Sequence, residues 1–176
     1  MPTSIIFKGS IYAIAKDVKI QIEFNPKHVQ NYRLIGYENR KLRTEDFKND
    51  AIDAGELGSG HTVTAFYEII PTGIESSFTN EIPELKYSEK SKAATNYSDE
   101  LATVKFRYKK PDGKKSIEMV EVIKNTNNSL QNATEDFKFS AAVAWFGLKL
   151  RDSKLISNKA SNDIKNLALQ GKSIDV

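Results

Sequence analysis

Val18, Ile20, Ile22 and Phe24 alternate with Lys19, Gln21 and Glu23, the two-residue period of a strand with one buried and one wet face. Asn25-Pro26 is a turn-forming pair that stops the run. A second strand is predicted over Tyr32 to Glu38. A third is predicted over Thr62 to Ile70, with Val63, Ala65, Tyr67 and Ile69 on one face, Thr62, Thr64, Phe66 and Glu68 on the other, and Pro71 closing it. Residues 72–100, rich in Ser, Thr, Asn and Glu, read as a long connection holding one edge strand near Ile82 to Tyr87. Val104, Phe106 and Tyr108 then alternate with Lys105, Arg107 and Lys109, and Pro111-Asp112-Gly113 turns the chain into Ile117 to Ile123, the pattern of a hairpin.

After an Asn-rich loop from Asn125 to Asn132 the period becomes helical. Phe137, Ala141, Ala144, Trp145 and Leu148 form one stripe and Phe139, Val143, Phe146 and Leu150 another. A helix over Glu135 to Arg151 is therefore apolar on most of its girth and needs cover on two sides. A shorter helix is predicted with Ser161 as N-cap, Ile164, Leu167 and Ala168 on its apolar side, and Gly171 at its C-terminal stop. Alternating strands separated by turns favour antiparallel pairing, and the helices come last. The expected fold is thus mainly β: an antiparallel β-sandwich of immunoglobulin-like character, with about seven strands and two C-terminal α-helices packed on it. The alternative is an open antiparallel sheet with both helices on one face. We expect a single accessory domain over residues 1–176, with a β-rich part at 10–124 and a helical annex at 133–171.

Composition changes this picture little. A chain of 176 residues, 39% hydrophobic, buries roughly 70% of its unfolded surface. The 26 Lys plus Arg nearly cancel 23 Asp plus Glu, leaving a net charge of +3, too little to announce a nucleic-acid or membrane partner. With no cysteine, disulfides, thiolate metal sites and a cysteine nucleophile are excluded. No apolar run approaches the roughly 18 residues of a membrane helix. The opening MPTSIIFKGS lacks the basic, apolar and small-residue succession of a signal peptide.

Between Ala15 and Pro71, the wording KDVKIQIEFNP, YRLIGYENR, EDF and DAGELGSGHTVTAFYEI resembles the domain of unknown function that follows the von Willebrand factor type A (VWA) domain in a family of bacterial proteins. ELATVKFRYKKPDGKKS and DFKFSAAVAWFGLKLRDS continue the resemblance more weakly. It implies a bacterial, extracytoplasmic (periplasmic or cell-envelope) protein in which a VWA domain precedes residue 1. VWA domains hold partners through a divalent metal in an Asp-x-Ser-x-Ser site. That signature is absent here, so neither metal nor adhesion transfers to any residue of this chain.

The remaining candidate chemistry has plain readings. Asp46, Asp50, Asp53 and Glu56 offer oxygens but lack the spacing of an EF-hand loop, and read as a solvated connection. Gly55, Gly58 and Gly60 precede a strand rather than a helix, so they read as a turn between two sheets with the glycines supplying positive φ. His61 with Ser59 and Asp53 has no nucleophile elbow around it, and His28 reads as an exposed turn residue. Lys105, Arg107, Lys109, Lys110, Lys114 and Lys115 read as a solvated hairpin face, because Phe106 and Tyr108 point the other way. Asn96, Asn127 and Asn132 begin glycosylation-type triplets that a bacterial source leaves idle.

No catalytic, cofactor-binding or metal residue is therefore expected, and no cofactor. The expected function is a non-catalytic interaction module of a VWA protein. Its partners would be the VWA domain of the same parent and an unidentified protein, without nucleic-acid or membrane contact. Phe139, Val143 and Phe146 form the possible interaction surface, since contiguous exposed apolar side chains mark contacts. The alternative, a small-ligand or glycan-binding sandwich, requires aromatic side chains along an open groove. An enzyme requires a pocket with convergent polar groups and perturbed titratable residues.

Overall fold

A computed structural model of the chain describes residues 12–36, 42–52, 54–76, 97–153, 156 and 160–171. The strands are β1 (Ala13–Phe24), β2 (Val29–Ile35), β3 (Gly55–Gly58), β4 (Phe66–Pro71), β5 (Glu100–Lys109) and β6 (Ser116–Lys124). Two helices follow, α1 (Glu135–Leu150) and α2 (Ala160–Gln170). The fold is mainly β, with a four-stranded antiparallel sheet in the order β3-β1-β5-β6, a two-stranded sheet β2-β4, and the two helices at the C-terminal end. The mainly β class with two C-terminal helices is as the sequence predicts. Six strands lie among the described residues; the predicted edge strand near Ile82 to Tyr87 falls outside them.

The strands differ from expectation in three places. β2 begins at Val29 rather than Tyr32. The third predicted strand begins only at Phe66, and Val63 is 63% exposed rather than facing a core; alternation alone does not build a strand without a ladder partner. Gly55 and Gly58, expected in a turn, instead form the ends of β3, where Ala13 lies opposite Gly58 and Val18 opposite Gly55. Of these three glycines only Gly60 has a positive φ, at 74°.

The chain divides into two compact units. The larger comprises residues 1–32, 39–63 and 69–125 and holds the four-stranded sheet. One face of that sheet is apolar: Ile20, Phe106 and Met119 lie side by side across three strands, and the rings of Phe106 and Tyr108 are 5.6 Å apart. The other face carries Lys19, Arg107 and Glu118 in register. A short 3-10 turn at Thr44–Asp46 with the loop after it supplies the partners of this face. Lys19, 2% exposed, donates to the carbonyls of Asp46 (3.3 Å) and Asn49.

At the turn after β1, Asn25 donates from Nδ2 to the carbonyls of Tyr97 and Glu100, both at 2.8 Å, while its Oδ1 accepts from the Lys27 amide. The asparagine thus ties the start of β5 to the end of β1, which is more than stopping a strand. His28 is not free in its turn either, since Nε2 lies 2.7 Å from the Ser98 carbonyl.

The smaller unit comprises residues 33–38, 64–68 and 126–176. The helical annex therefore recruits short pieces from the ends of β2 and β4. Within it Arg33 pairs with Glu68.

Candidate functional site: the apolar face of α1

Thr134 caps α1, its side chain accepting from the Phe137 amide at 3.2 Å. Glu135 and Asp136 in the first turn and Lys149 in the last complement the helix dipole. The helix is thus fixed at both ends by polar groups while its sides remain apolar.

α2 covers one strip of those sides. Ala142 is 1% exposed, and Ile164 and Leu167 are 7% and 8% exposed. The approach is close enough that a Cβ on Gly171 would lie 2.4 Å from the Phe139 amide nitrogen. Gly171 has no positive φ, so the expected left-handed stop is not its role. Backbone proximity is.

The strip around Phe139, Val143 and Phe146 is not covered in this way: these side chains are 49%, 55% and 50% exposed. An open groove of about 450 Å³ runs between α1 and the strand pieces of the same unit, with Ile35, Thr64 and Phe66 on one side and Phe139, Val143 and Ala144 on the other. Phe66 closes its end by an edge-on contact with Phe137, centroids 5.4 Å apart. A second hollow, about 310 Å³, lies between Val143 and Phe146 of α1 and Ile164 and Ala168 of α2. Val143 lines both hollows.

Polar groups gather elsewhere, on the charged face of the four-stranded sheet. Arg107 bridges Asp50 (3.0 Å) and Glu118 (3.4 Å), and Lys109 bonds Asp17 Oδ2 (2.7 Å) and the Asp50 carbonyl (3.1 Å). The Ser116 hydroxyl donates to Asp50. That bond and then the Arg107 guanidinium hold the Asp50 carboxyl below the usual carboxylate range. This corrects the reading of the basic hairpin as a solvated face at Arg107 and Lys109, whose side chains are only 18% and 12% exposed; Lys110, Lys114 and Lys115 are exposed as expected. Asp46 and Asp50 are likewise engaged, Asp46 by Arg43 at 2.9 Å. Asp53 lies outside the described residues. No group of three His, Cys, Asp or Glu able to hold a metal occurs among the described residues.

Sequence reasoning missed the far wall of the groove. Phe66 sits on the nominally wet face of its predicted strand beside Thr62, Thr64 and Glu68, and an aromatic ring on such a face is the signal of a second contact.

The C-terminal family described as "Uncharacterized protein YfbK, C-terminal" matches residues 9–176. An uncharacterized protein YfbK of Escherichia coli K12 is 42% identical over 166 residues, covering 94% of this chain and 28% of that protein. The chain therefore spans under a third of the length of that relative. No solved structure matches.

Proposed function

The chain belongs to the YfbK C-terminal family, and on that premise we propose that it is a non-catalytic interaction module whose α1 face receives another domain of a longer extracytoplasmic protein. The observation that carries the reading is the half-exposed strip Phe139, Val143 and Phe146 beside two apolar grooves. A soluble surface that leaves such a strip open supports contact with a partner. The E. coli relative, most of whose length lies outside the matched part, supports a partner within the same polypeptide. The occupant is a VWA domain, the neighbour implied by the resemblance of KDVKIQIEFNP and DAGELGSGHTVTAFYEI to VWA-protein tails. Its apolar side chains would lie along the groove and straddle Val143.

The test is calorimetric titration of this chain with the part of the E. coli relative outside the match, together with binding of a hydrophobic dye. Dye bound by the chain alone and displaced by that part, with Phe146→Ser weakening the complex while leaving the melting temperature unchanged, is the expected result. A dye-silent chain that gives no heat rejects the reading.

A further inference from the structure

The smaller hollow, between α1 and α2, has helical walls on both sides. Its wall on α2 is Ser161, Ile164, Lys165 and Ala168, spaced i, i+3, i+4 and i+7, which is one face of a helix. Its wall on α1 includes Val143 and Phe146, the middle of an exposed apolar row formed by Phe139, Val143, Phe146 and Leu150. That row steps by four, three and four residues. A row so strict is narrower than the stripe with which a helix packs on a core, and it has the spacing of the seam between two helices. α2 covers the strip beside it, where Ala142 is buried.

The chemistry of the walls selects the occupant. The interior backbone N–H and C=O groups of α1 and α2 are consumed by the helices themselves, so an extended segment laid in the hollow would bury its own backbone groups unpaired, at about 1–3 kcal/mol each. A helix carries those bonds internally. A sheet presents a flat face, which rests across two helices instead of entering the space between them. Charge is as selective. Lys165 is the one charged residue among those lining the hollow; it is exposed, and none of the ion pairs among the described residues includes it. Its complement is a carboxylate.

We infer that this hollow receives a third helix: an amphipathic α-helix of the partner domain, with apolar side chains at i, i+3 or i+4 and i+7 against Val143, Phe146 and Ala168, and an Asp or Glu flanking that stripe to meet Lys165. The inference rests on the proposed role of the α1 face in receiving another domain, and names the element that is received.

Calorimetric titration of the 176-residue chain with the part of the E. coli relative outside the match reads the affinity, and photo-cross-linking reads the conformation of the occupant. Lys165→Glu should weaken binding about tenfold or more, while Lys165→Arg leaves it within about threefold. Ala168→Phe, which fills the hollow, should weaken it about tenfold as well. Lys165 is exposed, so its reversal tests the charge with the fold intact, which an unchanged melting temperature verifies. With p-benzoylphenylalanine at position 146, the cross-linked positions on the partner should recur every three or four residues. A recurrence of two marks a strand and overturns the inference. Binding that is lost on Phe146→Ser but indifferent to Lys165→Glu and Ala168→Phe keeps α1 as a docking face and overturns the third helix alone, whereas no binding by the parent chain rejects both. Self-association of the chain that Ala168→Phe abolishes makes the occupant a second copy, and overturns the inference too.

Discussion

The two units invert the usual distribution of polarity. On the four-stranded sheet an ammonium group, Lys19, is 2% exposed, and the Arg107 side chain is 18% exposed. On α1 two phenylalanines and a valine are about half exposed. The difference shows that burial follows satisfied partners, not hydropathy. Lys19 has two carbonyl acceptors, so it gives up water for groups that replace it; Arg107 has two carboxylates, although its Nε is buried without a hydrogen-bond partner among the described residues. Phe139 and Phe146 give up nothing by being covered, yet α2 packs on only one strip of the helix.

The strongest way to break the comparison is to remove the buried amine. Lys19→Ala should cost about 3 kcal/mol, since it deletes a packed four-carbon stem and strips two carbonyls of their donor. Lys19→Met restores the stem and should cost about 1–2 kcal/mol, the share due to the carbonyls. Urea midpoints measure both; equal midpoints for Lys19→Ala and the parent would mean that the loop does not cover the sheet. Next in size is Gly171→Ala, expected to cost about 2 kcal/mol by forcing α2 from the Phe139 backbone. Its loss should appear in the same unfolding curve, and a neutral result would mean that the helices are farther apart.

Asp50 sharpens the comparison through pH. Its folded-state pKa is lowered, first by the Ser116 hydrogen bond and then by that from Arg107. Its contribution to stability is therefore fully present above the unfolded pKa of about 3.9. It is lost as pH falls through the folded value. The midpoint difference between the parent and Asp50→Asn should accordingly be largest near neutrality and shrink in acid. A difference that grows in acid would reverse the assigned direction. Smallest of all is Phe146→Ser, for which we expect a stability change within about 0.5 kcal/mol despite the loss of a large apolar side chain. A cost comparable to Lys19→Ala would show that the ring is covered.

The strong periodicities were legible. β1, the β5-β6 hairpin and α1 stand close to where alternation and the helical stripes place them, because in each the local pattern agrees with a ladder or helix partner. The exceptions follow from partners that no local pattern contains. Gly55 to Gly58 forms a strand against strand propensity because β1 lies alongside it, and residues 62–65 keep an alternating pattern with no ladder opposite. The exposed strip of α1 was legible as a second stripe, but the wall provided by Ile35, Thr64 and Phe66 was not, since those residues lie far from the helix in sequence. Burial of Lys19 had no local signal either. Its acceptors are main-chain carbonyls, which every residue carries.

That last property has a consequence for how this part of the molecule can vary in evolution. Lys19 bonds the carbonyls of Asp46 and Asn49, and Lys109 that of Asp50, so the sheet senses the route of the loop more than the letters along it. Point replacements at position 49 leave the acceptor where it was. A single insertion or deletion between residues 46 and 50 moves the acceptors out of phase with two lysines at once. Apart from Asp46 and Asp50, whose carboxylates are engaged, the loop is held by its length more than by its spelling.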